Sequence, residues 1–339
     1  MANNSSLDDK IILITGGTGS FGQQFVRTLL QNASPAKIIV FSRDELKQFE
    51  MRQSFPENEY PRLRFFLGDV RDRDRLYRAV DGVDIVVHAA ALKQVPSAEY
   101  NPGEAVKTNV LGTMNVIDAA IDRNVKKVIA LSTDKAVNPI NLYGATKLCA
   151  DKLMIAANNY SGYHGTRFSI VRYGNVVGSR GSVIPSFLRV RPSGRLPITD
   201  GRMTRFWITV ERGAEFVIQC LDRMSGGEIF VPKIPSMKMM DLAKAIAPEC
   251  EIEIIGIRPG EKLHEVLITE DDSIYTLEHD EYFVILPSFR DWSAATYLVE
   301  NGGKRCVVGF SYRSDTNTQW LSLEDMRTII GKSYEEISS

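Results

Sequence analysis

The stretch Ile11-Ile-Leu-Ile-Thr-Gly-Gly-Thr-Gly-Ser-Phe-Gly22 decides the fold of this chain. An apolar run leads directly into a turn with the spacings G-x-G-x-x-G (Gly17, Gly19, Gly22) and G-x-x-G-x-x-G (Gly16, Gly19, Gly22). Such a turn uses glycine for tight geometry and for close approach of the backbone to a pyrophosphate at the start of the next helix. Because the turn follows the first strand and opens a βα series, it predicts a dinucleotide-binding site.

The first half of the chain alternates apolar runs with amphipathic stretches, which is typical of βαβ units. Buried parallel strands are predicted at 11–14, 37–41, 63–67, 85–87, 128–131 and 168–172. Helices are predicted at 23–31, 72–80, 109–123 and 143–159. This pattern predicts an α/β fold, a Rossmann-type doubly wound parallel sheet with a smaller interleaved α/β substrate-binding lobe.

Beyond about Gly174, frequent prolines punctuate shorter elements, which indicates a change of organisation. We expect a dinucleotide-binding Rossmann domain over residues 8–174 that includes the catalytic helix. Residues 175–290 are expected to form mainly the substrate-binding lobe, interleaved with the first domain. Residues 291–339 form a C-terminal extension to which the sequence assigns no role.

Composition excludes several classes of function. The 339 residues carry a net charge of −1, with 44% hydrophobic and 24% charged residues, as in an ordinary globular protein. No basic block supports nucleic-acid binding or attachment to a membrane surface, and no signal peptide or membrane span is evident. Four scattered cysteines show no metal or redox spacing. We therefore expect a cytoplasmic protein with no metal and no membrane or nucleic-acid partner.

Residues 132–147 carry the reactive side chains. Tyr143 and Lys147 stand four apart, so on a helix they share one face. An ammonium beside a phenol is expected to lower the pKa of the tyrosine and make it a base for an alcohol. Asp134 and Lys135 lie just upstream, at the end of a predicted strand. Because oxidation of an alcohol needs only the tyrosine and the lysine, the extra pair predicts a longer reaction.

Residues that follow the predicted strands are expected to contact the cofactor. They are Gly16, Thr18, Gly19, Ser20, Phe21, Gly22, Ser42, Arg43, Asp69, Val70, Ala89, Ala90, Lys93, Tyr143 and Lys147. Ser42 and Arg43 come first after the second strand and suit a 2′-phosphate, which favours NADP over NAD. In the alternative, Arg43 is a solvated cation and Asp44 accepts from the ribose. His88 is either a structural histidine or a participant.

Several strings resemble the extended short-chain dehydrogenase/reductases, namely the glycine turn, Gly68-Asp69, His88-Ala-Ala-Ala and Tyr143-x-x-x-Lys147. Longer strings resemble the inverting UDP-N-acetylglucosamine 4,6-dehydratases more closely. They are Ser42-Arg-Asp-Glu-Leu-Lys-Gln48, Ser132-Thr-Asp-Lys135, Asn138 to Lys147, Val171 to Gly181, Met203-Thr-Arg-Phe-Trp207, Ile229 to Met237 and Ile257 to Glu265. The resemblance covers roughly residues 8–290. Gln94 is a departure, since close relatives often carry histidine there.

The resemblance implies a reaction of several steps on a UDP-sugar, with tightly bound NADP that is recycled. C4 is oxidised, water is eliminated across C5 and C6, hydride returns to C6, and C5 is inverted. The implied product is UDP-2-acetamido-2,6-dideoxy-β-L-arabino-hex-4-ulose. Since this chain begins almost directly at the first strand, it resembles the short soluble branch that opens pseudaminic acid synthesis. The same dehydratase could instead serve another acetamido-sugar pathway.

Each polar residue of the 132–147 stretch then has an expected role. Tyr143, assisted by Lys147, takes the proton of the 4-OH, and Asp134 protonates the leaving 6-OH. Lys135 is the base for C5, and it stands where retaining enzymes usually have glutamate. To act as a base it must be neutral, and we expect burial and neighbouring cations to lower its pKa. Thr133 either hydrogen-bonds the sugar or the tyrosine, or packs by its methyl group.

Substrate contacts are expected from cations that suit a diphosphate and from a few polar side chains. The candidates are Lys93, Asn175, Arg180, Arg205, Arg258 and Glu261. Each of the three arginines could instead form an ion pair between the lobes. Helices 109–123 and 143–159 could pair across subunits as in relatives, so we expect a dimer-based homo-oligomer, either a dimer or a hexamer. Two rival functions are a sugar-nucleotide 4-epimerase or dehydrogenase, and a non-catalytic NADP-binding regulator.

Overall fold

Strands and helices alternate through the first half of the chain, with several helical segments in succession between β4 and β5. The computed structural model describes residues 6–179, 181–288 and 294–338, with the side chains of 294 and 333–338 excepted. The elements of this half are β1 (Ile11–Thr15), α1 (Ser20–Asn32), β2 (Lys37–Ser42), α2 (Glu45–Ser54), β3 (Leu63–Leu67), α3 (Arg73–Ala79), β4 (Ile85–His88), α4 (Val95–Tyr100), α5 (Pro102–Val106), a π-helical turn (Lys107–Leu111), α6 (Gly112–Asp122), β5 (Lys127–Thr133), a 3₁₀ turn (Asp134–Ala136), α7 (Leu142–Tyr160), a 3₁₀ turn (Gly162–His164) and β6 (Arg167–Tyr173). All six predicted strands and all four predicted helices are confirmed.

Shorter elements follow, as the prolines indicate. They are β7 (Asn175–Val177), α8 (Val183–Val190), a 3₁₀ turn (Arg191–Ser193), β8 (Arg195–Ile198), β9 (Thr204–Thr209), α9 (Val210–Arg223), β10 (Ile229–Pro232), β11 (Ser236–Lys238), α10 (Met239–Ile246), β12 (Glu251–Ile254), β13 (Val266–Ile268), a 3₁₀ turn (Asp271–Tyr275), β14 (Thr276–Glu278), β15 (Tyr282–Ile285), α11 (Ala294–Asn301), β16 (Lys304–Arg305), β17 (Tyr312–Arg313) and α12 (Leu323–Ser338). No helix among the described residues is both long enough and apolar enough to cross a membrane.

The main sheet has the order β16-β14-β15-β10-β6-β5-β4-β1-β2-β3. From β3 to β10 all neighbours run parallel, and β15, β14 and β16 extend the sheet in antiparallel fashion. Helices cover both faces, so the central strands are buried along their length. The order reverses between β1 and β4, and such a switch point opens a crevice at the carboxyl ends of the strands. The predicted Rossmann-type fold is therefore confirmed.

Residues after 174 contribute both to this sheet and to a second group of elements. Strands β10, β14, β15 and β16 extend the sheet, while β7, β9 and β11 form a separate three-stranded sheet. A second core lies between α8, α10 and α12, where Met326 is fully buried. Strand β17 pairs with β13. Residues beyond 290 are thus integrated into the fold, and the domain boundaries themselves remain predictions.

The start of α7 places the reactive helix beside the end of β5. Asn141 caps the helix, since its side-chain oxygen accepts from the backbone N–H of Gly144 at 2.8 Å. A Cβ on Gly144 would lie 2.1 Å from the carbonyl oxygen of Lys135, so only glycine permits this contact. The cap and the glycine together bring the first turn of α7 against the Asp134–Ala136 turn.

Candidate active site

The glycine turn brings the ends of β1 and β4 into contact. Gly16 adopts a φ of +66°, and a Cβ there would lie 2.9 Å from the Cα of Ala90. A Cβ on Gly22 would lie 2.4 Å from the carbonyl oxygen of Gly17. Both positions therefore require glycine. The turn ends at Gly19, the N-cap of α1, and the first turn of α1 lines the crevice.

A cleft of about 640 Å³ lies at the switch point. Every residue predicted to contact the cofactor lines it: Gly16, Thr18, Gly19, Ser20, Phe21, Gly22, Ser42, Arg43, Asp69, Val70, Ala89, Ala90, Lys93, Tyr143 and Lys147. The glycine turn, where added Cβ atoms would clash, and the N-terminus of α1 both line the cleft. These two features and the volume of the cleft fit a dinucleotide. The contacts themselves remain predictions.

The carboxyl end of β2 forms the far end of this cleft. The Ser42 hydroxyl is buried and shares a 2.8 Å hydrogen bond with the hydroxyl of Thr18. The side chain of Arg43 is 52% exposed and lies 3.6 Å from the Asp69 carboxylate. Asp44 caps α2 through the backbone N–H of Lys47 at 3.0 Å, and the Lys47 ammonium lies 2.9 Å from the same carboxylate. Lys47 lines the cleft and is a cation that the sequence analysis missed.

The phenol of Tyr143 lies buried at the inner end of the cleft. Burial raises the pKa of Tyr143 to about 12, although the Lys135 ammonium and a hydrogen bond with the Thr133 hydroxyl oppose the rise. The expectation of a lowered pKa for Tyr143 is wrong for this structure. The Lys147 ammonium donates to the carbonyl oxygen of Leu131 at 2.7 Å, and burial lowers its own pKa, against the attraction of Asp151.

Thr133, Asp134 and Lys135 form one hydrogen-bonded group beside Tyr143. Asp134 is fully buried, and its Oδ1 accepts from the Thr133 hydroxyl at 2.9 Å and from the Lys135 ammonium at 3.1 Å. Its Oδ2 has no hydrogen-bond partner among the described residues. Thr133 and Lys135 line the cleft, whereas Asp134 lies behind them. The structure thus brings the five predicted catalytic residues together.

The charge state expected for Lys135 is also wrong for this structure. Burial acts to lower the pKa of Lys135, but attraction by the carboxylates of Asp134 and Glu265 outweighs it, so the pKa is raised. Lys135 is therefore an ammonium in the resting site. Sequence reasoning missed Glu265, whose carboxylate is buried 3.7 Å from the Lys135 ammonium. The feature of the sequence that could have identified Glu265 is its position at the end of the Ile257 to Glu265 string.

Of the residues predicted to bind substrate, two line the cleft. Lys93 donates to the Ser179 hydroxyl at 2.8 Å, and burial lowers its pKa, with a smaller contribution from the nearby Lys135. Asn175 lines the same wall, and its buried Oδ1 has no hydrogen-bond partner among the described residues. Gln94, the departure from relatives, donates to the carbonyl oxygen of Gly181 at 3.3 Å.

Three of the remaining four lie elsewhere. Arg205 is buried, and its guanidinium donates to the carbonyl oxygens of Thr204, Lys262 and Leu263, an environment that does not favour diphosphate binding. Arg258 and Glu261 lie away from the cleft lining on one exposed loop, where the Arg258 N–H donates to the Glu261 carboxylate. Arg180 lies outside the described residues.

The fold and the cleft define an enzyme scaffold of the extended short-chain dehydrogenase/reductase class. Its glycine turn, its switch-point cleft and its Tyr143/Lys147 helix are the features of that class. The chain belongs to the family described as polysaccharide biosynthesis protein, whose sequence profile matches residues 12–287.

Individual relatives confirm the closer resemblance. The UDP-N-acetylglucosamine 4,6-dehydratase (inverting) of Campylobacter jejuni subsp. jejuni is 56% identical over 327 residues, covering 95% of this chain and 97% of the relative. A protein of Rickettsia rickettsii named UDP-glucose 4-epimerase is 41% identical over 330 residues, with 95% of each chain covered. The crystal structure of Pen from Bacillus thuringiensis is 38% identical, with a TM-score of 0.88, covering 97% of this chain and 99% of Pen.

Proposed function

We propose that this protein is an inverting UDP-N-acetylglucosamine 4,6-dehydratase, a hydro-lyase that uses NADP. The observation that carries the proposal is the Asp134–Lys135 ion pair beside Tyr143 at the inner end of the cleft. A relative of the same name at 56% identity supports it. Oxidation alone needs no such pair, whereas removal of the C5 proton and the 6-OH needs a base and an acid.

Tyr143 is the proposed base for the 4-OH of the sugar. When bound, the nicotinamide would accept hydride from C4 and return it to C6. Because the pKa of Tyr143 is raised by burial, the phenolate must be stabilised by positive charge. The Lys135 ammonium already lowers this pKa, and Lys147 adds a second cation on the cofactor side of α7.

The ion pair of Asp134 and Lys135 carries one proton, and we propose that elimination uses its neutral form. Transfer of the proton from the Lys135 ammonium to Asp134, 3.1 Å away, yields an amine and a carboxylic acid. The amine then takes the C5 proton, and the acid protonates the leaving 6-OH as water. A solvent-derived proton is finally returned to C5 on the opposite face, and Tyr143 releases the 4-OH proton to solvent. Two protons are taken, from the 4-OH and C5, and two are given, to the 6-OH and C5.

The cations at the end of β2 support NADP as the cofactor. Arg43 and Lys47 both line this end of the cleft. Asp44, the residue that would accept from an unphosphorylated ribose, already caps α2 and pairs with Lys47. We propose that Ser42, Arg43 and Lys47 hold the 2′-phosphate through charge-assisted hydrogen bonds.

We propose that the UDP-sugar enters between the cofactor and the second lobe. Lys93 and Asn175 line that side and are the best-placed candidates for the sugar or diphosphate. Arg180 remains a candidate from its sequence position, and Arg258 with Glu261 could contact the nucleotide only through movement of their loop. Arg205 is better explained as a structural cation next to Glu265.

The context of the reaction is also proposed. We propose a cytoplasmic homo-oligomer that supplies pseudaminic acid synthesis. Exposed apolar side chains at Val106, Leu111 and Met114, near the start of α6, support subunit pairing through that helix. Light scattering coupled to size-exclusion chromatography measures the oligomeric state directly.

A 4-epimerase is the second candidate, because the Rickettsia relative carries that name. An NMR time course with UDP-N-acetylglucosamine in deuterated water separates the two. The dehydratase yields a product lighter by one water, with deuterium at C5 and inverted configuration there. An unchanged product mass would establish the epimerase, and retained configuration at C5 would contradict the role proposed for Lys135.

A further inference from the structure

Glu265 lies behind the Asp134–Lys135 pair, away from the cleft lining. Only 2% of the residue is exposed. Its Oε1 lies 3.7 Å from the Lys135 ammonium and 3.8 Å from the Arg205 guanidinium, and its Oε2 lies 3.8 Å from the Lys262 ammonium. Oε2 has no hydrogen-bond partner among the described residues. Three cations thus surround the carboxylate at 3.7–3.8 Å, and one of them, Lys135, lines the cleft.

Two hydrogen bonds with Ser314 fix the backbone of Glu265. Its N–H donates to the Ser314 hydroxyl at 2.9 Å, and its carbonyl oxygen accepts from the Ser314 N–H at 2.9 Å. The residue directly precedes β13, which β17 pairs. A carboxylate so fixed can hold the Lys135 ammonium in one place without contacting the substrate.

We propose that Glu265 is a positioning residue that holds the ammonium of Lys135 and sets the pH range over which the Asp134–Lys135 pair keeps its proton. The link to elimination rests on the proposed function, whereas the effect on Lys135 does not. Removing the negative charge of Glu265 removes an attraction that favours the ammonium. Lys135 then loses its proton at lower pH, and the pair loses the acid that the 6-OH needs.

Every charged group that faces Glu265 bears on this balance. Burial raises the pKa of Glu265 most strongly, and Asp134 adds to the rise. Lys135, Arg205 and Lys262 act in the opposite direction. Around Lys135 itself, Tyr143 favours the ammonium and Arg205 disfavours it. The net result is a raised pKa for Glu265, so its charge acts on Lys135 most fully at alkaline pH, where the carboxyl group is ionised.

The direct test measures Lys135 without turnover. Competitive acetylation with acetic anhydride at pH 10, quantified by peptide mass spectrometry, reports the amine fraction of Lys135, with the exposed Lys10 as internal standard. Glu265→Gln is expected to raise the labelling of Lys135 at least tenfold, and Glu265→Asp to raise it less. Glu281→Gln removes an exposed carboxylate that pairs with Arg212, outside this cluster, and should change nothing. Unchanged labelling of Lys135 in Glu265→Gln overturns the proposal. It would mean that Glu265 is protonated in the wild-type protein and has no charge that stabilises the Lys135 ammonium.

Glu265→Asp keeps the test decisive if Glu265→Gln does not fold. It keeps the charge but moves the carboxylate away from the Lys135 ammonium by one methylene, so labelling of Lys135 should still rise above wild type. Labelling at or below the wild-type level in Glu265→Asp contradicts the proposal. In turnover, the alkaline limb of the rate profile of Glu265→Gln should move down by at least one pH unit. If the labelling of Lys135 shifts but the enzyme never releases water from the substrate, the proposed function is wrong and the role of Glu265 still stands.

Discussion

The Lys147 ammonium and the Tyr143 phenol share one face of α7 but are not hydrogen-bonded to each other. Lys147 donates to the Leu131 carbonyl oxygen at 2.7 Å, while the Tyr143 hydroxyl shares a hydrogen bond with the Thr133 hydroxyl. The phenol therefore stays protonated at neutral pH until further positive charge arrives. Oxidation at C4 therefore depends on a ligand in the cleft that supplies this positive charge.

Replacing Tyr143 tests its role as the base. Tyr143→Phe removes the hydroxyl and keeps the packing of the ring, so we expect turnover to fall by about 10²- to 10⁴-fold with little loss of stability. Product formation by NMR and thermal unfolding measure the two effects. Tyr160→Phe at the exposed end of the same helix is the control. A loss below tenfold in Tyr143→Phe would assign the proton transfer to another group.

Arg43 tests cofactor choice. Arg43→Ala should weaken NADP binding by about 10- to 100-fold, because a charge-assisted hydrogen bond contributes about 1.5–3 kcal/mol. NAD binding should change less than threefold, and Lys47→Ala should show the same selectivity. Titration calorimetry of both nucleotides gives the comparison, with Lys10→Ala as a surface control. Equal weakening of NAD and NADP would argue for Asp44 at the ribose.

Gly16 tests the close approach of β1 and β4. Gly16→Ala adds a Cβ 2.9 Å from Ala90 at a φ of +66°, so both strain and a backbone clash are expected. Gly82 has a φ of +72° with nothing within 4 Å of an added Cβ, so Gly82→Ala isolates the strain of about 1–2 kcal/mol. We expect Gly16→Ala to lose more stability in urea unfolding and to lose dinucleotide binding. Similar values for the two variants would contradict the role of close approach.

His88 makes stability depend on pH. The ring bridges the hydroxyls of Thr15 and Thr113, and burial, with a smaller contribution from Lys147, lowers its pKa to about 3. Between pH 6.5 and 3 the unfolded chain binds a proton that the folded protein does not. The contribution of His88 is therefore full above pH 6.5 and is lost as the pH falls, at about 1.4 kcal/mol per pH unit.

The measurement is the pH slope of the free energy of unfolding in urea. His88→Gln should reduce that slope between pH 6.5 and 4.5, whereas His164→Gln, at an exposed hydrogen bond to Asn124, should not. An unchanged slope in His88→Gln would mean that the ring is protonated in the folded protein.

The sequence predicted the strands and the reactive residues because their signals are local. Apolar runs mark the buried strands, and the four-residue spacing of Tyr143 and Lys147 is a helical property. Helix α2 was not among the predicted helices because Leu46 and Phe49 are exposed and only Gln48 and Met51 are buried. Such a helix has no continuous apolar face to recognise.

The charge states of the site could not be predicted in the same way. Burial lowers the pKa of Lys135, the adjacent Asp134 raises it, and Glu265, which directly precedes β13, raises it further. The pKa of Tyr143 depends on how fully the folded lobes exclude water from it. Burial and the Glu265 contact both come from parts of the chain distant in sequence, so the local pattern around residues 132–147 does not give the sign of either shift.

The hydrogen bonds between Glu265 and Ser314 also bear on when the site can be completed during synthesis of the chain. The ribosome makes the glycine turn, the β4 end and α7 well before Ser314, the residue that anchors Glu265. The charge setting of Lys135 therefore depends on a contact that cannot form before Ser314, 49 residues after Glu265, has been synthesised.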